Sequence, residues 1–247
     1  MVEPLRIAMW SGPRNLSTAL LRSWGNRDDT AVVDEPLYAH YLHRTGVDHP
    51  ARETILSAQD VDWRRVVAWL SGPVPDGRAV WYQKHMTHHI TDDVSLEWLD
   101  ALRSCFLIRA PAQVVNSYVR VRSDPTLEDL GLPQQWRLFL HVQEHTGAAP
   151  PVIDAADLLR DPAGMLQALC AALDVEFSER MLSWPPGPRA SDGVWAPHWY
   201  GAVERSTGFA PYRAEDVTVP RHLAELTATA ERIYDRMADH RLTRVKA

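Results

Sequence analysis

Leu5-Arg6-Ile7-Ala8-Met9-Trp10-Ser11-Gly12-Pro13-Arg14-Asn15-Leu16-Ser17-Thr18 is the stretch on which the fold turns. Leu5 to Trp10 is a short, mostly apolar run that stops at Ser11-Gly12-Pro13, the pattern of a buried strand running into a turn. Leu16, Leu20 and Trp24 then recur at helical spacing, with Asn15 or Ser17 placed to cap the helix. The alternation continues outward. Thr30 to Val33 reads as a second strand closed by Asp34-Glu35-Pro36, residues 51–71 as helix, and Arg78 to Gln83 as a third strand. A helix over 92–103 leads into a buried strand at Cys105 to Ile108 and a helix over 111–122. A strand at Pro151 to Asp154 precedes a helix from Pro162 to about Leu173. Residues 183–212 are rich in Pro, Gly and Trp and lose periodicity, which predicts a long loop serving as a lid. Leu223, Leu226, Ala230, Ile233 and Met237 line one face of a closing helix over 221–239. Strands alternating with helices predict an α/β fold, a three-layer sandwich around a central parallel sheet, as one domain over residues 1–247.

Composition narrows the function classes. Hydrophobic residues make up 45% and charged residues 23% of 247, an ordinary globular mixture. A net charge of −6 argues against a general nucleic-acid binder, although a local group of donors still binds an anion on an acidic chain. Cys105 and Cys170 sit in apolar runs, so free buried thiols and a reducing cytoplasm are expected. No cysteine–histidine group has zinc-like spacing, no run approaches 18 apolar residues, and Met1 to Trp10 lacks the apolar stretch of a signal peptide. The expectation is a chain with no metal, no membrane and no nucleic acid among its partners. Oligomeric state has no readable signal.

In a parallel α/β sheet, ligands sit beyond the carboxyl ends of the strands. Residues 11–18 occupy such a place, where backbone N–H groups and the helix dipole favour a phosphate. Arg14 adds a fixed charge, and Ser17 and Thr18 add hydroxyls. Capping of the helix by a polar turn with a surface arginine accounts for the same residues about equally well. An ATP- or GTP-binding loop needs GxxxxGK[ST], and counting from Gly12 places Ser17 and Thr18 where that motif requires Gly and Lys. A nucleotide kinase or ATPase is thus the weaker reading.

Phe106-Leu107-Ile108-Arg109-Ala110-Pro111-Ala112-Gln113-Val114-Val115-Asn116-Ser117-Tyr118 adds the second motif. Arg109 leaves the end of a buried strand and Ser117 lies eight residues on. Here the chain resembles the cytosolic and Golgi sulfotransferase family, in which such an Arg and Ser grip the 3′-phosphate of 3′-phosphoadenosine 5′-phosphosulfate (PAPS). The resemblance makes Arg14-Asn15-Leu16-Ser17-Thr18 the 5′-phosphosulfate loop, with Arg where the family has Lys and Leu16 where a glycine is usual. Pro151 to Asp154, Asp157-Leu158-Leu159 and Asp161-Pro162 are similar to a further family stretch, so the likeness spans residues 5 to 175. It implies a P-loop-like fold, PAPS as co-substrate, and transfer to a hydroxyl or amine of a small-molecule acceptor. A non-catalytic relative that binds the 3′-phosphoadenosine nucleotide is the other reading.

Sulfuryl transfer needs a base for the acceptor's proton and donors for charge on the bridging oxygen. Glu35, after the second strand, reads on local features about equally well as a turn carboxylate before Pro36, but it matches a glutamate that several sugar-modifying members use, and is preferred as the base. His85 is the alternative, one residue out of register with the Lys-Thr-His of phenol- and steroid-modifying members, with Lys84 or His85 supporting the acceptor or bridging oxygen. His88 and His89 read as ordinary loop histidines. Arg205-Ser206-Thr207-Gly208 loosely resembles the family's late element for the 3′-phosphate, and Trp195, Trp199 and Tyr200 suit either an acceptor pocket, a lid or plain packing.

Overall fold

The computed structural model describes residues 4–120, 122–214 and 217–244. Five strands form one sheet in the order β2-β3-β1-β4-β5, every pairing parallel: β1 Leu5–Ser11, β2 Thr30–Asp34, β3 Val80–Met86, β4 Arg103–Ile108 and β5 Val152–Asp154. Because successive side chains on a strand point to opposite faces, each central strand divides its residues between two cores. Ile7, Met9, Val80 and Tyr82 pack with Leu20, Leu21 and Trp24 of helix α1 (Ser17–Gly25) and with Leu158, Leu166 and Leu169. The last three come from α7 (Ala155–Arg160) and α8 (Pro162–Ala172), numbered in chain order. Ala8, Trp10, Trp81 and Phe106 face the opposite layer, built from α4 (Trp63–Leu70), α6 (Leu132–Thr146) and α11 (Ala224–Ala238). This is the expected three-layer sandwich. The connections carry α2 (Tyr38–Thr45), α3 (Arg52–Ala58) and α5 (Pro111–Tyr118), and the late segment carries α9 (Ala196–Trp199) and α10 (Gly201–Glu204).

Several expected boundaries move. The helix expected over 51–71 is two helices, because Gln59 is extended and the Asp62 side chain accepts from the Arg64 amide to begin α4 afresh. Over 92–103 only a 3-10 turn forms, at Glu97–Ala101, and α5 ends at Tyr118 rather than at residue 122. Val121, in that expected helix, and Met1 to Glu3, in the opening stretch, lie outside the described residues. The third strand, expected to end at Gln83, continues through Lys84 and His85 to Met86. Helix α6 has no counterpart in the sequence reading. No helix of the described residues is long and apolar enough to cross a membrane.

A chain crossing fixes the loop after β1. A Cβ on Gly12 would sit 2.4 Å from the Leu130 carbonyl oxygen, and one on Gly131, at φ +72°, would sit 2.4 Å from Thr87 Oγ1. The segment before α6 therefore lies directly on the loop. Gln135 of α6, fully buried, donates to the carbonyls of Trp10 at 3.1 Å and Leu107 at 2.9 Å, tying the ends of β1 and β4 together.

Candidate active site

Two groups of polar residues meet the carboxyl edge of the sheet. The first surrounds the start of α1. Arg14 and Leu16 are both left-handed, at φ 64° and 66°, so Leu16 takes the backbone conformation a glycine would favour there. Leu16 is the N-cap yet offers no capping side chain, and no acidic residue occupies the first turn. The amides of Ser17, Thr18 and Ala19 thus lack helical acceptors, and the positive end of the helix dipole is uncompensated. Arg14 Nε donates to Ser117 Oγ at 2.9 Å, and Arg109 donates through NH1 to the Arg14 carbonyl at 2.8 Å and through Nε to Gln113 at 3.0 Å. Asn15 is buried, with its Nδ2 at 3.5 Å from the Leu107 carbonyl and its Oδ1 without a partner. The fold brings Arg14, Arg109 and Ser117 together at an open helix N-terminus, an arrangement suited to an anion.

The second group is closed. Register opposes Asp34 to Lys84, and the Lys84 ammonium donates to Asp34 at 2.8 Å, Glu35 at 2.5 Å and the Tyr200 hydroxyl at 3.1 Å. An ammonium has three hydrogens, so all are engaged and none is left for a bridging oxygen. This corrects the role expected of Lys84: it grips the carboxylates. Tyr200 in turn donates to Asp34 at 2.6 Å and accepts from Trp195 Nε1 at 3.1 Å. Burial alone would lower the Lys84 pKa, but the carboxylates of Asp34 and Glu35 outweigh it and hold the ammonium well above its ordinary range. Burial raises the Glu35 carboxyl, opposed by Lys84 and reinforced by Asp34. Glu35 is also at φ 43°. Among the described residues, three of the six non-glycine residues with positive φ, Arg14, Leu16 and Glu35, therefore lie at this one edge, where strain is concentrated.

Lys84 and His85 cannot serve one site. Lys84 points to the α1 face, whereas His85 lies on the other face of the sheet, stacked on Trp10 at 4.3 Å between ring centroids. Burial, with Lys84 adding, pushes the His85 pKa down to about 3. His85 is a neutral core residue, and its expected role as alternative base or support is withdrawn. His89, read from sequence as an ordinary loop residue, instead sits with Nε2 3.9 Å from Glu35 Oε2 and stacks on Tyr38 and Tyr41. It is 2% exposed, its Nδ1 has no partner, and burial holds its pKa well below the ordinary value. The signal was its place just beyond the third strand, which a strand ending at Gln83 concealed.

Arg205 to Gly208 are not brought to this edge. Ser206 accepts from Trp184 Nε1 at 3.0 Å, Thr207 accepts from the Trp184 amide, and Gly208 bridges to Ser183, whose carbonyl accepts from Asn26 after the far end of α1. The expected lid is tied down at several points. Trp195 and Tyr200 are buried, the Gly193 amide reaches Asp34 at 3.4 Å, and Asp192 pairs with the buried Arg22 at 2.5 and 2.8 Å. A cavity of about 330 Å³ opens beside His88 and Tyr41, walled also by Asp93, Glu128, Asp129 and Gln134. Tyr41 and His88 both contact His89, which links the cavity to Glu35.

A family model for the sulfotransferase domain matches residues 5–240. The chain is 36% identical over 243 residues, 97% of its length, to branched-chain-amino-acid aminotransferase-like protein 1 of Arabidopsis thaliana. It spans 43% of that relative, whose name describes a much longer protein. Among solved structures, the sulfotransferase domain of the Synechococcus PCC 7002 olefin synthase matches with TM-score 0.54 and 19% identity, covering 93% of this chain and 95% of that one. A sulfotransferase from Alicyclobacillus acidocaldarius matches with TM-score 0.55 and 13% identity over 98% of each chain. These structures share the fold, a P-loop-like sandwich around a parallel sheet.

Proposed function

Because the chain belongs to the sulfotransferase domain family, we propose that it moves a sulfuryl group from PAPS to a hydroxyl or amine of a small molecule. The observation that carries this reading is the open N-terminus of α1 ringed by Arg14, Arg109 and Ser117, on the sheet edge that also carries Glu35. Arg109 and Ser117 would receive the donor's 3′-phosphate. Arg14 and the amides of Ser17 and Thr18 would face the 5′ end, where negative charge grows as the S–O bond breaks. The acceptor enters the cavity beside Tyr41 and His88, large enough for a small molecule, and its reacting oxygen or nitrogen lies against Glu35. Glu35 takes the proton as the new bond to sulfur forms, leaving a sulfated acceptor and 3′-phosphoadenosine 5′-phosphate (PAP). Lys84 positions Glu35 and favours its ionised form, and neutral His89 flanks the carboxylate.

The aminotransferase in the relative's name finds no support in these residues. The chain has two lysines, Lys84 and Lys246, and only Lys84 lies among the described residues. Its ammonium is locked between two carboxylates, the reverse of the neutral amine that Schiff-base chemistry requires. The test is formation of PAP from PAPS across a panel of alcohols, phenols and amines. Glu35→Gln should lower kcat about 10²–10⁴-fold while PAP still binds. Turnover unchanged in Glu35→Gln would remove the base, and no acceptor-dependent PAP release would reduce the chain to a nucleotide binder.

A further inference from the structure

Away from the sheet edge, one cluster of side chains has the composition of a metal site. His141 and His145 stand one turn apart on α6, and Asp100 meets them from the 3-10 turn Glu97–Ala101. One ring nitrogen from each histidine and one oxygen of Asp100 lie within 4.8 Å of one another. The ligands of a tetrahedral zinc ion, bound at about 2.1 Å, are about 3.4 Å apart, so a small rotation of these side chains closes the site.

Two further details match what a metal requires. Nδ1 of His145 donates to the His141 carbonyl at 2.8 Å, which fixes the tautomer and leaves the Nε2 lone pair to bind. Nε2 of His141 is shut off from solvent and has no hydrogen-bond partner. The two imidazoles lie 3.9 Å apart between centroids, a spacing at which two imidazolium charges repel and a shared cation attracts both neutral rings. We propose that Asp100, His141 and His145 bind one first-row transition-metal ion, with zinc the fitting example of a two-imidazole, one-carboxylate set. The remaining coordination positions open to water, since Asp100 and His145 are exposed. Such an ion joins the turn before β4 to α6, two elements that pack over the same core as Trp10 and Trp98. The sequence has no cysteine–histidine group of zinc-like spacing; this set has no cysteine, and Asp100 lies 41 residues before the first histidine of the pair.

The test uses the full chain, untagged and freed of metal with EDTA. Titration with zinc chloride at pH 7.5 should show one ion bound and a rise in Tm, and magnesium chloride should show neither. His145→Ala should weaken zinc binding at least tenfold, and Asp100→Asn several-fold. Both side chains are exposed, so the metal-free Tm of each variant should match that of the parent. Absence of saturable zinc binding to the parent, or binding of parental strength in both variants, overturns the proposal. Sulfuryl transfer does not enter these measurements, so their outcome stands apart from that of the proposed activity.

Discussion

The two halves of the candidate site are built on opposite electrostatic principles. Around Asp34 the polar groups are buried and bonded to one another: Lys84 spends its three donors on Asp34, Glu35 and Tyr200, and Trp195 completes the tyrosine. Around Arg14 the charged side chains are cationic and stand at an uncapped helix start. A buried, interlocked network suits holding a base in place; an uncapped helix start beside cationic side chains suits an anionic ligand. Similar substitutions in the two halves should therefore fail in different ways.

The largest effect is expected at Lys84. Lys84→Met strands two carboxylates, with Asp34 1% and Glu35 11% exposed at the side chain. Breaking a buried pair in this way costs about 3–5 kcal/mol, to be read by urea denaturation. Loss below about 1 kcal/mol would mean that the network holds nothing together. Arg14→Met is the matched change in the open half. It should alter stability by less than about 1 kcal/mol, as for an exposed polar contact, but weaken PAP binding about 10–100-fold. Destabilisation with unchanged PAP affinity would erase the contrast between the halves. The smallest effect is in pH. Glu35 must be ionised to take a proton, so kcat/KM should fall as pH drops through its pKa. Since burial raises that pKa, the acid limb should lie above the ordinary 4.5, and Glu35→Gln should abolish it.

The contrast also marks what the sequence could reveal. Arg109 and Ser117 are eight residues apart, on a strand end and the helix after it, and Arg14 lies in the first turn of the fold. Local patterns single out all three. The Asp34 network joins residues up to 166 apart in sequence, and no local signal connects Tyr200 to Asp34. The third strand reads three residues short in the sequence, at Gln83 instead of Met86, because Lys84 and His85 look like loop residues. Asp34 and Glu35 neutralise the lysine, and Trp10 covers the histidine, so both stay in the strand. That truncation made His85 look available as a base and His89 look remote. Helix α6 was hidden by its polar opening, Pro133-Gln134-Gln135, although Gln135 is buried for its bonds to the strand-end carbonyls. Arg205 to Gly208 has suitable donors in sequence, but Trp184 and Ser183 hold it by the other end of α1.

Arg14, Arg109 and Ser117 are proposed to form the seat of a 3′-phosphorylated nucleotide. Isothermal calorimetry with PAP and with ADP tests it most directly, because the two ligands differ at the 3′-phosphate. PAP should bind at least tenfold more tightly, and Arg109→Ala should remove most of that difference while leaving ADP affinity nearly unchanged. Equal affinity for the two nucleotides, or a preference for PAP that survives Arg109→Ala, would contradict the account.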